Sequence, residues 1–233
     1  MPSRFFPDSL APFMVTASPA VRFTVEQYDR MIDAGVFARP RTVADSPGDL
    51  GPPEEPPRIE LIDGEVVMMS PIGPRHEEVV DRLNEWSAEA RLRGVARVRV
   101  QQSLGISARQ SVPQPDLAWV RPRNDAAKRP NASDALLMIE VSESSLAHDL
   151  GAKATLYAAG GVREYWVVDV AAEVVHVFRR PAARGYAEHR VAPRGDRLTP
   201  LARPEAALRF RAVSVASGGR CVYRWLIPGL SEC

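Results

Sequence analysis

Asp116, Glu140 and Lys153 are the residues of this chain whose types and settings can do chemistry together. Asp116 stands near the start of one strand-like run, "PQPDLAWV", and "ALLMIEVSE" carries five apolar residues straight into Glu140. A carboxylate at the end of a buried strand costs free energy unless it is solvated, paired or bound to a cation. Two acids converging there disfavour double ionisation unless a divalent metal lies between them. Ligation by oxygen alone points to magnesium or manganese. A zinc site is not expected, because His76, His148, His176 and His189 lack zinc-type spacing and Cys221 and Cys233 are remote. Lys153 lies beside the apolar stripe of a helical segment, so its ammonium can reach back over the strand ends and stabilise a phosphorane-like transition state. Asp149, four residues earlier, offers it an ordinary helix-surface ion pair instead, and on spacing alone that pairing is favoured.

The elements that must position these groups are legible around them. In "FTVEQYDRMIDAGVF", Thr24 precedes Gln27 by three residues, the reciprocal capping pattern, and Gly35 marks the stop. "RIELIDGEVVMM" is two strand-like runs around Asp63-Gly64, a tight hairpin turn. "HEEVVDRLNEWSAEARLRG" places Val79, Leu83, Trp86 and Ala90 on one face of a long helix. Strands follow at "ARVRVQQSLGIS", "PQPDLAWV" and "ALLMIEVSE", then a helix at "SSLAHDLGAKATLYAAGG" ended by Gly160-Gly161, then strands at "REYWVVDV" and "EVVHVFRR". A crossover helix between strands implies an α/β arrangement, a mixed β-sheet with flanking helices. The expected organisation is a leader over 1–20, a helix within 21–37, a proline-rich linker over 38–57, an α/β domain over 58–200 and a C-terminal extension over 201–233 that supplies one or two peripheral strands.

Composition narrows the function classes. The chain has 233 residues, enough for one sizeable core, and a net charge of +1, which argues against a nonspecific nucleic-acid coat. With two cysteines there is no disulfide framework, and no apolar run approaches the ~18 residues that span a bilayer. A cytoplasmic protein is expected. Arg91, Arg93, Arg97 and Arg99 gather at a helix-to-strand junction, and Arg121, Arg123, Lys128 and Arg129 in the loop after the Asp116 strand. Either group can meet phosphate or simply keep the surface soluble; the second ranks higher because it follows Asp116.

From about residue 22 to 180, "FTVEQYDRMIDAGVF", "ELIDGEVVMMSPIGPRH", "PDLAWV", "IEVSESS" and "DLGAKATLYAAGGVREYWVVDV" together resemble the Uma-type restriction endonuclease family of bacteria, whose fold is similar to the PD-(D/E)XK nuclease superfamily. The resemblance implies a restriction-endonuclease-like core in which Pro115-Asp116 is the PD pair and Glu140 the second acid, both metal ligands, with the backbone carbonyl of Val141 as a third. The superfamily signature places lysine two residues after the second acid, where this chain has Ser142. In the resembling family that lysine has moved to the following helix, which picks out Lys153. Glu60 and His76 match earlier motifs and are implied to line the same cleft; taken by themselves, Glu60 is a polar residue at a sheet margin and His76 a residue preceding a helix. Ser142, Ser144 and Ser145 read as a turn and a cap, and Tyr157, Tyr165 and Trp166 as core aromatics. The expected activity is metal-dependent hydrolysis of DNA. Two alternatives remain: a catalytically silent module that binds nucleic acid or a protein partner, and a structural homodimer.

Overall fold

A computed structural model of the chain describes residues 21–37, 58–69, 71–90, 92–123, 128–209, 212–214 and 221–223. The leader over 1–20 and the linker over 38–57 lie outside the described residues. Helix α1 (Val25–Asp33) starts at the expected capping box, Thr24 accepting from the Gln27 N–H while Gln27 accepts from the Thr24 N–H. It buries Tyr28, whose hydroxyl donates to the Ile59 carbonyl and so docks the helix on a hairpin of β1 (Ile59–Ile62) and β2 (Glu65–Met68). Asp63 and Gly64 turn that hairpin with φ of 50° and 82°, the paired positive angles that an Asp-Gly step supplies. Arg109 clamps the turn by a two-pronged contact to Asp63.

Helix α2 (Pro74–Glu89) begins on Pro74, whose missing N–H is no loss in a first turn. Strands β3 (Arg97–Val100), β4 (Leu117–Val120) and β5 (Ala135–Ser142) follow. A broken helix comes next: α3 (Leu146–His148), a π-turn over Asp149–Lys153, and α4 (Ala154–Ala159). Strands β6 (Glu164–Asp169), β7 (Val174–Ala182) and β8 (Gly185–Ala192) complete one sheet in the order β3-β4-β5-β6-β7-β8. Only the β5–β6 pair is parallel, because only there does a helical crossover carry the chain back to the same end. The expected mixed α/β architecture is therefore present. Strand β8 was not expected. Its residues face solvent along most of its length, as an edge strand can, so it carries no apolar alternation to betray it. Short pairs β9 (Arg197–Leu198) with β10 (Leu208–Arg209) and β11 (Ala212–Ser214) with β12 (Cys221–Tyr223) lie in the C-terminal stretch. Among the described residues no helix is long and apolar enough to cross a membrane.

Alternation in β4 and β5 sorts the core into two layers. Leu117, Trp119, Ile139 and Val141 face α2, whereas Ala118, Val120 and Met138 face α4. On the α2 side Trp86 stacks between Trp119 (ring centroids 4.8 Å apart) and Trp166 (5.9 Å). The indole N–H of Trp119 donates to Ser87, whose hydroxyl donates to the Leu83 carbonyl, but that of Trp86 is buried without a partner among the described residues. Trp86→Ala removes the middle ring of the stack together with one unsatisfied donor. The expected loss is about 3 kcal/mol, the low end for a buried aromatic, read as a shift of the urea midpoint at unchanged slope. Glu164, fully buried on β6, is a fastener: it accepts from Trp166, Arg179 and the Leu201 N–H and takes no part in the cleft described next.

Candidate active site

The antiparallel register that sets Leu117 opposite Ile139 brings Asp116, one residue before β4, level with Glu140 on β5. Alternation sends both side chains to the α4 face of the sheet. Asp116 has one oxygen on the Val141 N–H at 2.9 Å and the other on His76 Nε2 at 3.0 Å and Gln101 Nε2 at 3.3 Å. Its own N–H lies 3.3 Å from Glu140 Oε2. The second Glu140 oxygen, Oε1, accepts from Lys153 Nζ at 2.9 Å and from the Tyr157 hydroxyl at 2.5 Å. Both donors come from the broken helix, four residues apart and hence on one side of it.

Lys153 is not a surface residue. It is 8% exposed, and its Nζ is 3.9 Å from Asp149, so Glu140 rather than Asp149 is its close partner. The π-turn over Asp149–Lys153 is the local reason: a widened turn re-aims side chains that a regular helix would space differently, and such turns recur at functional sites. Ser145 donates to Asp149, and Glu60 on β1 accepts from the Gln114 N–H at 2.5 Å just upstream of Asp116. Glu60, His76, Asp116, Glu140, Asp149 and Lys153 line one cavity of about 370 Å³, walled on the hairpin side by Val67, Met68 and Ile72.

The charges in this cavity do not balance. Glu60, Asp116, Glu140 and Asp149 are all at most 5% exposed and face a single buried ammonium and the buried His76 imidazole, with the exposed His148 beside Asp149. Burial pushes Asp116 up, but the His76 hydrogen bond and charge, the Val141 N–H and Lys153 outweigh it and hold the carboxyl below its ordinary value. Glu140 accepts from Lys153 and Tyr157, but burial together with the charges of Asp116, Asp149 and Glu60 outweighs Lys153, and its carboxyl is pushed up to about 8. Asp149 is likewise raised by burial, against Lys153 and Ser145. Burial alone would lower Lys153, yet Glu140, Glu60 and Asp149 raise it above an ordinary lysine, so it is a fixed cation rather than a proton carrier.

This donor set fits a hard divalent cation. Two carboxylates converge, and strand geometry turns the carbonyl of Val141 toward the same edge. In a strand the N–H and C=O of one residue leave by the same edge. The Val141 N–H already meets Asp116, whereas the next carbonyl, Ser142, turns the other way to accept from Val170. Among the described residues no three His, Cys, Asp or Glu side chains form a complete metal cage. Two acids and a carbonyl leave open positions, the habit of a cation that keeps water and substrate oxygens.

Of the residues singled out in the sequence, Asp116, Glu140, Val141, Lys153, Glu60 and His76 meet in this cavity. His76 sits within the first turn of α2, not ahead of it, and points at Asp116. Arg121, Arg123, Lys128 and Arg129 do not join them. They follow the far end of β4, about 13 Å or more from Asp116 at ~3.3 Å per strand residue. Arg123 is paired with Asp134 and Arg129 with Asp29. Arg91 lies outside the described residues. Three contributors were not foreseen: Asp149 as part of the acid cluster, Gln101, and Tyr157, whose ring is in the core as expected, edge-on to Tyr165, while its hydroxyl reaches Glu140. The Lys153-to-Tyr157 spacing was the available signal.

Among solved structures, the fold is similar to that of a protein described as a putative nuclease belonging to DUF820 from Anabaena variabilis, with a TM-score of 0.51 and 15% identity over 77% of this chain and 89% of that one. No curated protein matches the chain. A family profile described as "Uma2: Putative restriction endonuclease" matches residues 49–211, well over half the chain and the whole of the cleft. The resemblance seen in the sequence motifs is thereby borne out, and the chain belongs to the Uma2 family.

Proposed function

We propose that this protein is a nuclease that uses magnesium or manganese to hydrolyse phosphodiester bonds of DNA. Membership of a family described as "Putative restriction endonuclease" supports nuclease function in general. The observation that carries the finer reading is the buried meeting of Lys153 with Glu140 at 2.9 Å beside Asp116, from a helix 13 residues further along. It restores a lysine to the acid pair although the position two residues after Glu140 is Ser142.

Asp116, Glu140 and the Val141 carbonyl would hold the cation, which when bound polarises the scissile phosphate and lowers the pKa of an attacking water. His76 and Gln101 orient Asp116, and the Val141 N–H fixes its second oxygen. Tyr157 and Lys153 share Glu140 Oε1, leaving Oε2 turned toward Asp116. An ammonium carries three donors, so Lys153 keeps N–H groups for the phosphoryl oxygens while still bound to Glu140. Its charge offsets the negative charge that grows there in the transition state.

Plasmid and single-stranded DNA, incubated with magnesium, manganese or chelator, test the reading. Cutting is expected with either metal, absent with chelator, and lost in Asp116→Ala, Glu140→Ala and Lys153→Ala. A wild type that binds manganese through the acids without cutting makes it a silent module. One that binds no metal either sinks the enzyme reading.

A further inference from the structure

A second cavity, of about 520 Å³, opens beside the β3–β4 pair, between Arg97 and Val120 at its far end and the Gln102–Ser103 segment, and it is lined by cations. Arg97, Arg99, Arg121, Arg123, Lys128 and Arg129 converge on it, and no carboxylate is among its lining residues. Two of the six are already committed. Arg129 is held by both oxygens of Asp29 and by Ser103, and Arg123 by Asp134 at 2.6 Å. The other four, Arg97, Arg99, Arg121 and Lys128, have no ion-pair partner among the described residues. Arg99 reaches only the Ser103 carbonyl, and its Nε is buried with no acceptor among those residues. Burial and the charge of Arg129 both bear against the Arg99 guanidinium.

Four cations with no ion-pair partner among the described residues, gathered in a concave site, cost self-repulsion, and the potential they focus is one that a polyanion relieves. The chain as a whole carries a net charge of only +1, so this concentration is local. Its position relative to the acids matters too. In the β3–β4 register Arg97 lies opposite Val120 and Arg99 opposite Ala118, and directly opposed residues share a sheet face. Asp116, two residues before Ala118, is on that same face. Four strand residues separate Asp116 from Val120, about 13 Å at ~3.3 Å each. Arg99, opposite Ala118, is only two strand residues away, about 7 Å, so with duplex DNA rising 3.4 Å per base pair the cleft meets backbone roughly two to four base pairs from the acids.

We propose that this basic cleft is a second, non-catalytic phosphate site, in which Arg97, Arg99, Arg121 and Lys128 grip the DNA backbone away from the point of cleavage. The choice of DNA as the polyanion rests on the nuclease reading. The acids repel an approaching phosphate chain until a cation covers them, so a remote cationic hold lets DNA dock before the metal site is complete. Binding therefore does not require metal.

The test is fluorescence anisotropy with a labelled duplex of about 20 base pairs, in chelator, over about 50 to 200 mM salt. Arg97→Ala, Arg121→Ala and Lys128→Ala are measured singly and together, with circular dichroism melts as the check on folding. Each single variant is expected to lower the slope of log K against log salt by about 1, and the triple variant by about 3, with the melts unchanged. Arg97→Lys, which keeps the charge, restores most of the Arg97→Ala loss. A triple variant that binds with the wild-type slope overturns the proposal, as does a wild type that binds no duplex in chelator. The two readings fail separately. Salt-dependent binding through the cleft without any cutting leaves this site standing and removes the nuclease. Cutting that is indifferent to the triple variant in both KM and kcat does the reverse.

Discussion

Lys153→Met is expected to slow single-turnover DNA cleavage by about 100- to 1,000-fold, the usual worth of one preorganised charge at a reacting centre, while leaving metal binding intact. The two effects separate because Lys153 and a divalent cation answer the same excess of negative charge. The ammonium stands 2.9 Å from Glu140 and 3.9 Å from Asp149. Without it the cavity is more negative, and manganese, titrated calorimetrically, binds as tightly as before or more tightly. Stripping one partner from a buried pair ordinarily costs about 3–5 kcal/mol through the stranded charge. Here Glu140 is already pushed up to about 8 and retains its proton at neutral pH, with Tyr157 still donating to Oε1, so the variant folds. Lys153→Arg does not rescue the rate. A planar guanidinium is larger than an ammonium, and the slot between Glu140 and Asp149 is 8% exposed at Lys153. Loss of manganese binding together with the rate would make Lys153 a prop for the acids rather than a catalytic group. An unchanged rate would remove it from the chemistry altogether.

What could be read in the sequence divides by range. The Thr24–Gln27 capping box and the Asp63–Gly64 turn are conformational preferences of a few adjacent residues, and each appears where its residues stand. Asp116 and Glu140 were legible because acids bordering apolar runs are costly without a partner. The fate of Lys153 was not, since its choice between Asp149 and Glu140 turns on the π-turn and on how the broken helix lies against β5. Neither is written in local spacing. Tyr157 shows the same limit: its burial was foreseeable, but whether its hydroxyl ends against Glu140 depends on ångström-scale docking. The arginines mark a further boundary. Arg121 to Arg129 follow Asp116 in the chain, yet β4 runs away from the acids and delivers them to its opposite end, where β3, earlier in sequence, supplies Arg97, with Arg99 two residues nearer the acids. Proximity in sequence misled because a strand is a spacer.

Glu140→Gln is expected to make the metal-free protein more stable above neutral pH while abolishing cleavage. In the fold Glu140 is pushed up to about 8 by burial, against 4.5 for the unperturbed group. Below 4.5 the carboxyl is protonated in both folded and unfolded chains, and whatever the folded site gains from a neutral Glu140 is fully present. As pH rises toward 8 the unfolded chain releases this proton and the folded one keeps it, so the advantage drains away, by up to ~1.4 kcal/mol per pH unit. Glutamine stays neutral throughout and loses nothing on that account. Asp149, also raised, and Asp116, lowered, persist in the variant, so the difference between the two proteins isolates Glu140. Urea denaturation in chelator is expected to find them within about 1 kcal/mol at pH 4.5 and the variant ahead by about 2 kcal/mol at pH 8.5, allowing for a lost counter-charge to Lys153. Saturating magnesium restores the wild type alone, because the cation binds the ionised acid and adds its binding energy to folding. A variant less stable than wild type at pH 8.5 would mean that the Glu140–Lys153 pair is a net fastener of the fold. The expected order instead marks a site strained by its own charges until a cation enters, stability given up where chemistry needs an ionised acid.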